Sequence, residues 1–145
     1  MARWRKCTNL EDAISAHREI FFQWAFRAPR AEVFRALVGS PPTATEFFRQ
    51  LYITDVWKDW GYREKVNRTS PGYVQYGRYW RSKLEIELKN VATKRVVFLG
   101  GTASCAGLGC VPDGTPAHCL VFPDWRNYST LKEDLRQLET EINAA

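Results

Sequence analysis

Three short apolar runs set the limits on what this chain can fold into. They are Tyr52-Ile-Thr-Asp-Val-Trp-Lys58, Val96-Val-Phe-Leu-Gly-Gly-Thr-Ala103 and His118-Cys-Leu-Val-Phe-Pro-Asp-Trp-Arg-Asn127. Each begins with strand-forming residues and passes straight into polar, Gly or Pro residues. Helical patterns separate them. A short run of this kind fits a strand buried on both faces, as in a parallel sheet covered by helices. Alternating strands and helices imply that sheet, with right-handed crossovers. Ligands of such sheets sit outside the carboxyl ends of the strands. The three polar tails are therefore expected to share one rim.

The first 50 residues read as helical. Thr8 with Glu11 has the spacing of a capping box, and Leu10, Ile14, His17, Phe21 and Trp24 recur at helical spacing. His17 is expected to be structural there. Pro29 suits the first position of a second helix carrying Val33, Phe34 and Leu37. Gly39 suits its C-cap, and Thr43 with Glu46 opens a third helix. Leu51 to Trp57 reads as the first strand, and residues 58–72 as a long polar loop. Tyr76, Trp80, Leu84, Leu88 and Val91 make one face of a long helix. Arg95 to Leu99 is the second strand. Gly100-Gly101 turns the chain, Thr102 caps a short helix, and Gly107 and Gly109 end it. Ala117 to Phe122 is the third strand. Thr130 with Glu133 opens a closing helix with Leu131, Leu135, Leu138 and Ile142 on its apolar stripe.

The expected architecture is one α/β domain over 1–145: a three-layer α/β/α sandwich with a small parallel sheet. Residues 1–50 form an N-terminal helical part, and 51–145 the parallel β-α repeats. At 145 residues, 45% apolar and 26% charged, the chain has the composition of one globular domain. Its net charge of +5 favours an anionic partner such as nucleic acid. A basic surface with no particular partner is the plain alternative. No signal peptide and no run of 18 apolar residues is visible, so an intracellular protein without a membrane span is expected. Cys7, Cys105, Cys110 and Cys119 form no C-x-x-C pair. Free, mostly buried thiols are expected, with a disulfide inside 105–119 as the alternative and no metal site.

Four groups of residues carry chemistry. Leu99-Gly-Gly-Thr-Ala103 would aim backbone N–H groups at a ligand above the sheet, or simply turn the chain. Asp55, at the end of the first strand, would accept from an amine or amide edge, with Trp57 stacking and Lys58 on phosphate. A surface Asp–Lys pair is the plainer reading. Phe122-Pro-Asp-Trp-Arg-Asn127 combines an aromatic wedge with Arg and Asn, which suits a nucleic-acid groove. Trp125 packed under the last helix is the plainer reading. Cys105 near the start of the short helix is the fourth, a thiol with no obvious histidine beside it.

Taken in order, the runs resemble motifs of the uracil-DNA glycosylase superfamily. Tyr52-Ile-Thr-Asp-Val-Trp-Lys58 is similar to its Y-I-T-N-x-x-K strand. Leu84-Glu-Ile-Glu-Leu88 and Val97-Phe-Leu-Gly-Gly-Thr-Ala103 are similar to its L-x-x-E-L and V-x-L-G-x-x-A elements. Phe122-Pro-Asp-Trp-Arg126 stands where its H-P-S motif falls. The resemblance covers residues 50–143. It implies a DNA-binding protein without cofactor that flips a damaged or deaminated base and hydrolyses its glycosidic bond.

On that resemblance Asp55 reads the base and Gly100, Gly101 and Thr102 wall the pocket. Phe122 or Trp57 stacks and Asp124 orients water. Lys58, Arg68, Trp125, Arg126 and Asn127 hold the nucleic acid. The chain departs from the family at three places. Asp55 replaces an Asn, Phe122 and Asp124 replace the His and Ser, and the water-positioning Gly-x-x-Pro-Gly loop has only a faint counterpart in Val38-Gly-Ser-Pro-Pro-Thr43. An ionised Asp only accepts hydrogen bonds, so a base with an exocyclic amine is expected in place of uracil. A catalytically silent nucleic-acid-binding or assembly module is the alternative, and an enzyme for a small anionic metabolite a third.

Overall fold

The computed structural model describes residues 7–55 and 71–145, with side chains from 78 onward in the second stretch. The chain is mixed helix and parallel strand, an α/β protein in the broad sense. Its elements are α1 (Leu10–Ala25), α2 (Arg30–Val38), α3 (Ala44–Gln50), α4 (Pro71–Val91), β1 (Val96–Leu99), α5 (Gly101–Gly107), β2 (Ala117–Leu120) and α6 (Tyr128–Ala144). Single 3-10 turns cover Leu108–Cys110 and Trp125–Asn127. No helix among the described residues is long and apolar enough to cross a membrane. The chain divides into two compact units. One gathers the residues up to 52 with 123–128 and the last residue; the other holds 53–122 with 129–144.

The first unit is helical because its phenylalanines recur at helical spacing and find one another. Phe47 of α3 is fully buried, and the rings of Phe21, Phe22, Phe26, Phe34 and Phe48 surround it at 5.0–6.3 Å. Such pairs add about 0.5–1.5 kcal/mol each beyond area burial. The α1–α2 corner is tied by Arg30. Its Nε donates to the Trp24 carbonyl at 2.9 Å while the guanidinium lies 4.4 Å over the Trp24 ring. Thr43 caps α3 as its sequence spacing foretold, accepting from the Glu46 N–H, and Gly39 closes α2. Asn9 caps α1 in place of Thr8, whose hydroxyl binds the Asp12 carboxylate instead. Thr and Asn are both good capping residues, and here it is Asn9, next to the first turn, whose side chain accepts from the Asp12 N–H. The stripe on α1 is buried only toward its end: Leu10, Ile14 and His17 are exposed, so His17 is no core residue.

In the second unit β1 and β2 pair in parallel, Val96 with Ala117 through Leu99 with Leu120. Alternation puts Val96 and Phe98 on one face. There they pack with Leu84 and Leu88 of α4 and with Cys110. Each fully buried Leu or Phe contributes roughly 1.5–3 kcal/mol. His118 points to the other face, where its Nδ1 lies 2.9 Å from Glu141 of α6. Asp134 of α6 accepts from the Val121 N–H at 2.9 Å, ending β2. Leu131, Leu135 and Leu138 of α6 are buried.

Several expectations change. Residues 51–55 form no strand: Tyr52 and Ile53 are exposed, and Leu51 closes α3 by donating to the Phe47 carbonyl. β-forming residues make a strand only where a neighbour supplies a ladder and a covered face. Gly100, not Thr102, is the N-cap of α5, and α6 starts two residues before Thr130. None of the four cysteines is in a disulfide, yet only Cys110 is buried; Cys105 and Cys119 are exposed. Burial also pushes the Cys110 thiol above its ordinary pKa, with Arg81 opposing. Gly107 is the last residue of α5, as expected, with an ordinary φ of −98°. It is glycine because the Phe98 ring lies where its Cβ would be.

Candidate functional site

The carboxyl ends of β1 and β2 do lie side by side. The Gly100 N–H donates to the Leu120 carbonyl at 2.8 Å, carrying the ladder one step past the strands. Gly100 then turns at φ +94°, a conformation that side chains resist. Ser104 Oγ donates back to the Gly100 carbonyl at 3.0 Å and fixes the turn. Phe122, 46% exposed, lies against this glycine: a Cβ there would sit 3.4 Å from the Phe122 Cβ. Gly100 and Phe122 thus meet at the strand ends, and Gly101 and Thr102 follow Gly100 as the first residues of α5. The helix that follows has only seven residues, too short for a strong dipole at the turn.

Asp55 belongs to the same unit and is exposed. Its neighbour Thr54 donates to Glu87 of α4 at 2.9 Å. Among the described residues no bond joins Asp55 to the Gly100–Phe122 rim. Trp57, Lys58 and Arg68 lie outside the described residues.

Asp124, Trp125, Arg126 and Asn127 belong to the first unit. Pro123 is fully buried and anchors their start. Asp124 caps the 3-10 turn, accepting from the Arg126 N–H at 2.7 Å. The Arg126 side chain folds back on the same carboxylate, Nε at 3.1 and 3.2 Å and an Nη at 2.7 Å. The side-chain bonds and then the backbone bond from Arg126 hold Asp124 at about 2, below its ordinary 3.8. Trp125 stands 64% exposed, its ring 5.2 Å from that of Tyr128.

A carboxylate with a depressed pKa favours the folded turn above the ordinary range, and that contribution disappears as pH falls from 3.8 through about 2. The Asp124 carboxyl resonance is expected to titrate near 2 by NMR, and to return toward 3.8 in Arg126→Gln. A wild-type midpoint near 3.8 would show that the fork does not form in solution.

Sequence reasoning missed three partners. The Tyr128 hydroxyl donates to Glu32 at 2.6 Å, Asp134 meets Val121, and Glu141 meets His118. No local pattern marks contacts between residues so far apart in the chain. Among the described residues, no three His, Cys, Asp or Glu side chains gather as a metal site requires.

Charge is unevenly spread along the sequence. Arg3, Arg5 and Lys6 face no acid in residues 1–6. Residues 56–70 set Lys58, Arg63, Lys65 and Arg68 against Asp59 and Glu64. Those two segments supply the whole net charge of +5, and the rest of the chain is balanced. No family model matches the chain, and no curated protein or solved structure matches it either.

Proposed function

We propose that the chain is a nucleic-acid-binding module on an α/β scaffold, holding its ligand by charge and aromatic contact without cleaving it. The Asp124–Arg126 fork supports the non-cleaving half of this reading. Hydrolysis of a glycosidic bond asks a carboxylate to orient or activate water. Asp124 spends its lone pairs on Arg126 and, at about 2, is a weak base at neutral pH. The net charge of +5 supports an anionic polymer as ligand. The scaffold we infer is a three-layer α/β/α arrangement. Its support is the packing of α4 on the Val96 and Phe98 face and the bonds from α6 to His118 and Val121.

Base excision is the second reading. The Gly100–Phe122 rim favours it, because an aromatic ring beside an open glycine turn at the strand ends is where a flipped base would stack. Asp55 would then accept from the exocyclic amine of that base. One experiment separates the readings. The protein is incubated with single- and double-stranded oligonucleotides carrying uracil, hypoxanthine, xanthine or an alkylated base. Retention at low salt without abasic sites is the expected result. Abasic product that disappears in Asp55→Ala would replace binding by excision. No retention at low salt would contradict both.

A further inference from the structure

The turn at 123–128 holds one tryptophan out in water with unusual care. Among the described residues Trp125 is the most exposed aromatic side chain, at 64%. An exposed surface ring needs no support, yet the chain on either side of this one is held and one neighbouring ring backs it. Pro123 before it is fully buried. Asp124 caps the turn through the Arg126 N–H, and the Asn127 N–H donates to the Asp124 carbonyl at 3.0 Å. Behind the indole lies the Tyr128 ring at 5.2 Å, itself fixed by its 2.6 Å bond to Glu32. The bond to Glu32 also raises the Tyr128 pKa, so the hydroxyl keeps its proton and remains a donor. The indole is therefore positioned in advance, which lowers the entropy cost of a partner docking on it.

The charge at this turn is informative. Asp124 and Arg126 cancel in a bidentate pair, so the turn presents a flat apolar ring with little net charge beside it. It is poorly equipped to hold a phosphate and well equipped to accept another flat ring. In a duplex the faces of the bases are already stacked on one another; in a single strand they are free.

We infer that Trp125 is a stacking platform for an unpaired base, which makes single-stranded nucleic acid, not duplex, the ligand of this module. The inference rests on the nucleic-acid reading above and adds the ligand class and the residue that selects it. Base stacking on an aromatic side chain tolerates any sequence, so little base preference is expected.

The test uses the full chain and fluorescein-labelled oligothymidylate, with a duplex of equal length as the comparison, followed by anisotropy. Wild type is expected to prefer the single strand. Trp125→Ala should weaken single-strand binding about tenfold, leave duplex binding nearly unchanged, and leave the salt dependence as it was. Trp125→Phe should recover most of the loss. An unchanged denaturation midpoint in Trp125→Ala confirms that the fold is intact. Undiminished single-strand binding by Trp125→Ala overturns the inference while leaving the nucleic-acid reading standing. So does an equal loss on both ligands. No binding of either ligand by wild type overturns the reading itself and the inference with it.

Discussion

Phe47→Ala is expected to cost about 3–5 kcal/mol of unfolding free energy, enough to remove most of the stability of a small domain. Phe47 is fully buried, and five other aromatic rings lie within 6.3 Å of it. These rings come from all three helices of the first unit, so no single helix can shift to fill the hole. The loss combines the transfer energy of the ring with a cavity its neighbours are too large to close. Phe47→Leu keeps most of the volume and should cost less, roughly 1–2 kcal/mol. Urea unfolding followed by tryptophan fluorescence reports on the change, since Trp24 lies in the same cluster. A shift for Phe47→Ala below about 1 kcal/mol would mean that the cluster is not the core of this unit.

Gly107→Ala is expected to destabilise although alanine is the better helix former. Propensity alone would favour alanine by up to about 1 kcal/mol. Against that, a Cβ at 107 would sit on the Phe98 ring, 2.9 Å from Cζ and 3.0 Å from Cδ1. Phe98 is 5% exposed and belongs to the cluster with Leu84, Leu88 and Cys110, so it has little freedom to retreat. Overpacking of this kind costs about 1–3 kcal/mol, sometimes more, and steric exclusion should win. Gly101→Ala is the control. Nothing lies within 4 Å of its added Cβ, and the change should be neutral or slightly stabilising. Phe98→Leu in the Gly107→Ala background should restore part of the loss, giving a coupling of about 0.5–3 kcal/mol. Equal effects at 107 and 101 would contradict the packing described.

What was legible in the sequence follows from the range of the interactions. The helices were legible because their signals are local: Thr43 caps three residues away, Gly39 ends its own helix, and Leu84 and Leu88 repeat at one turn. β1 and β2 were legible because each is a short run between turn residues. The segment 51–55 was misread because strand propensity says nothing of whether a ladder partner exists. Gly107 does end α5 as expected, but the Phe98 ring against it was not legible, because a glycine kept for close approach looks, in sequence, like one kept only for a helix end.

The candidate site divides in the same way. Gly100 and Phe122 meet because consecutive parallel strands end together, a consequence of topology that sequence order carries. The employment of Asp124 was not legible. Asp and Arg two residues apart have the same spelling whether they face a ligand or each other, and only the geometry of the turn decides. Nor did sequence show that Trp125 would be displayed, since its support comes from Glu32 on a distant helix by way of Tyr128.

The central claim is that this chain binds nucleic acid through its positive charge excess, and salt dependence tests it most directly. Affinity for a single-stranded oligonucleotide is measured between about 50 and about 200 mM salt. The wild-type logarithmic plot should fall linearly, with a slope near −0.7 per phosphate neutralised. Replacing Lys58, Arg63, Lys65 and Arg68 together by Gln should make that slope shallower, because these residues belong to the segments that carry the excess. Absence of binding at the lowest salt, or an affinity indifferent to salt, would contradict the claim.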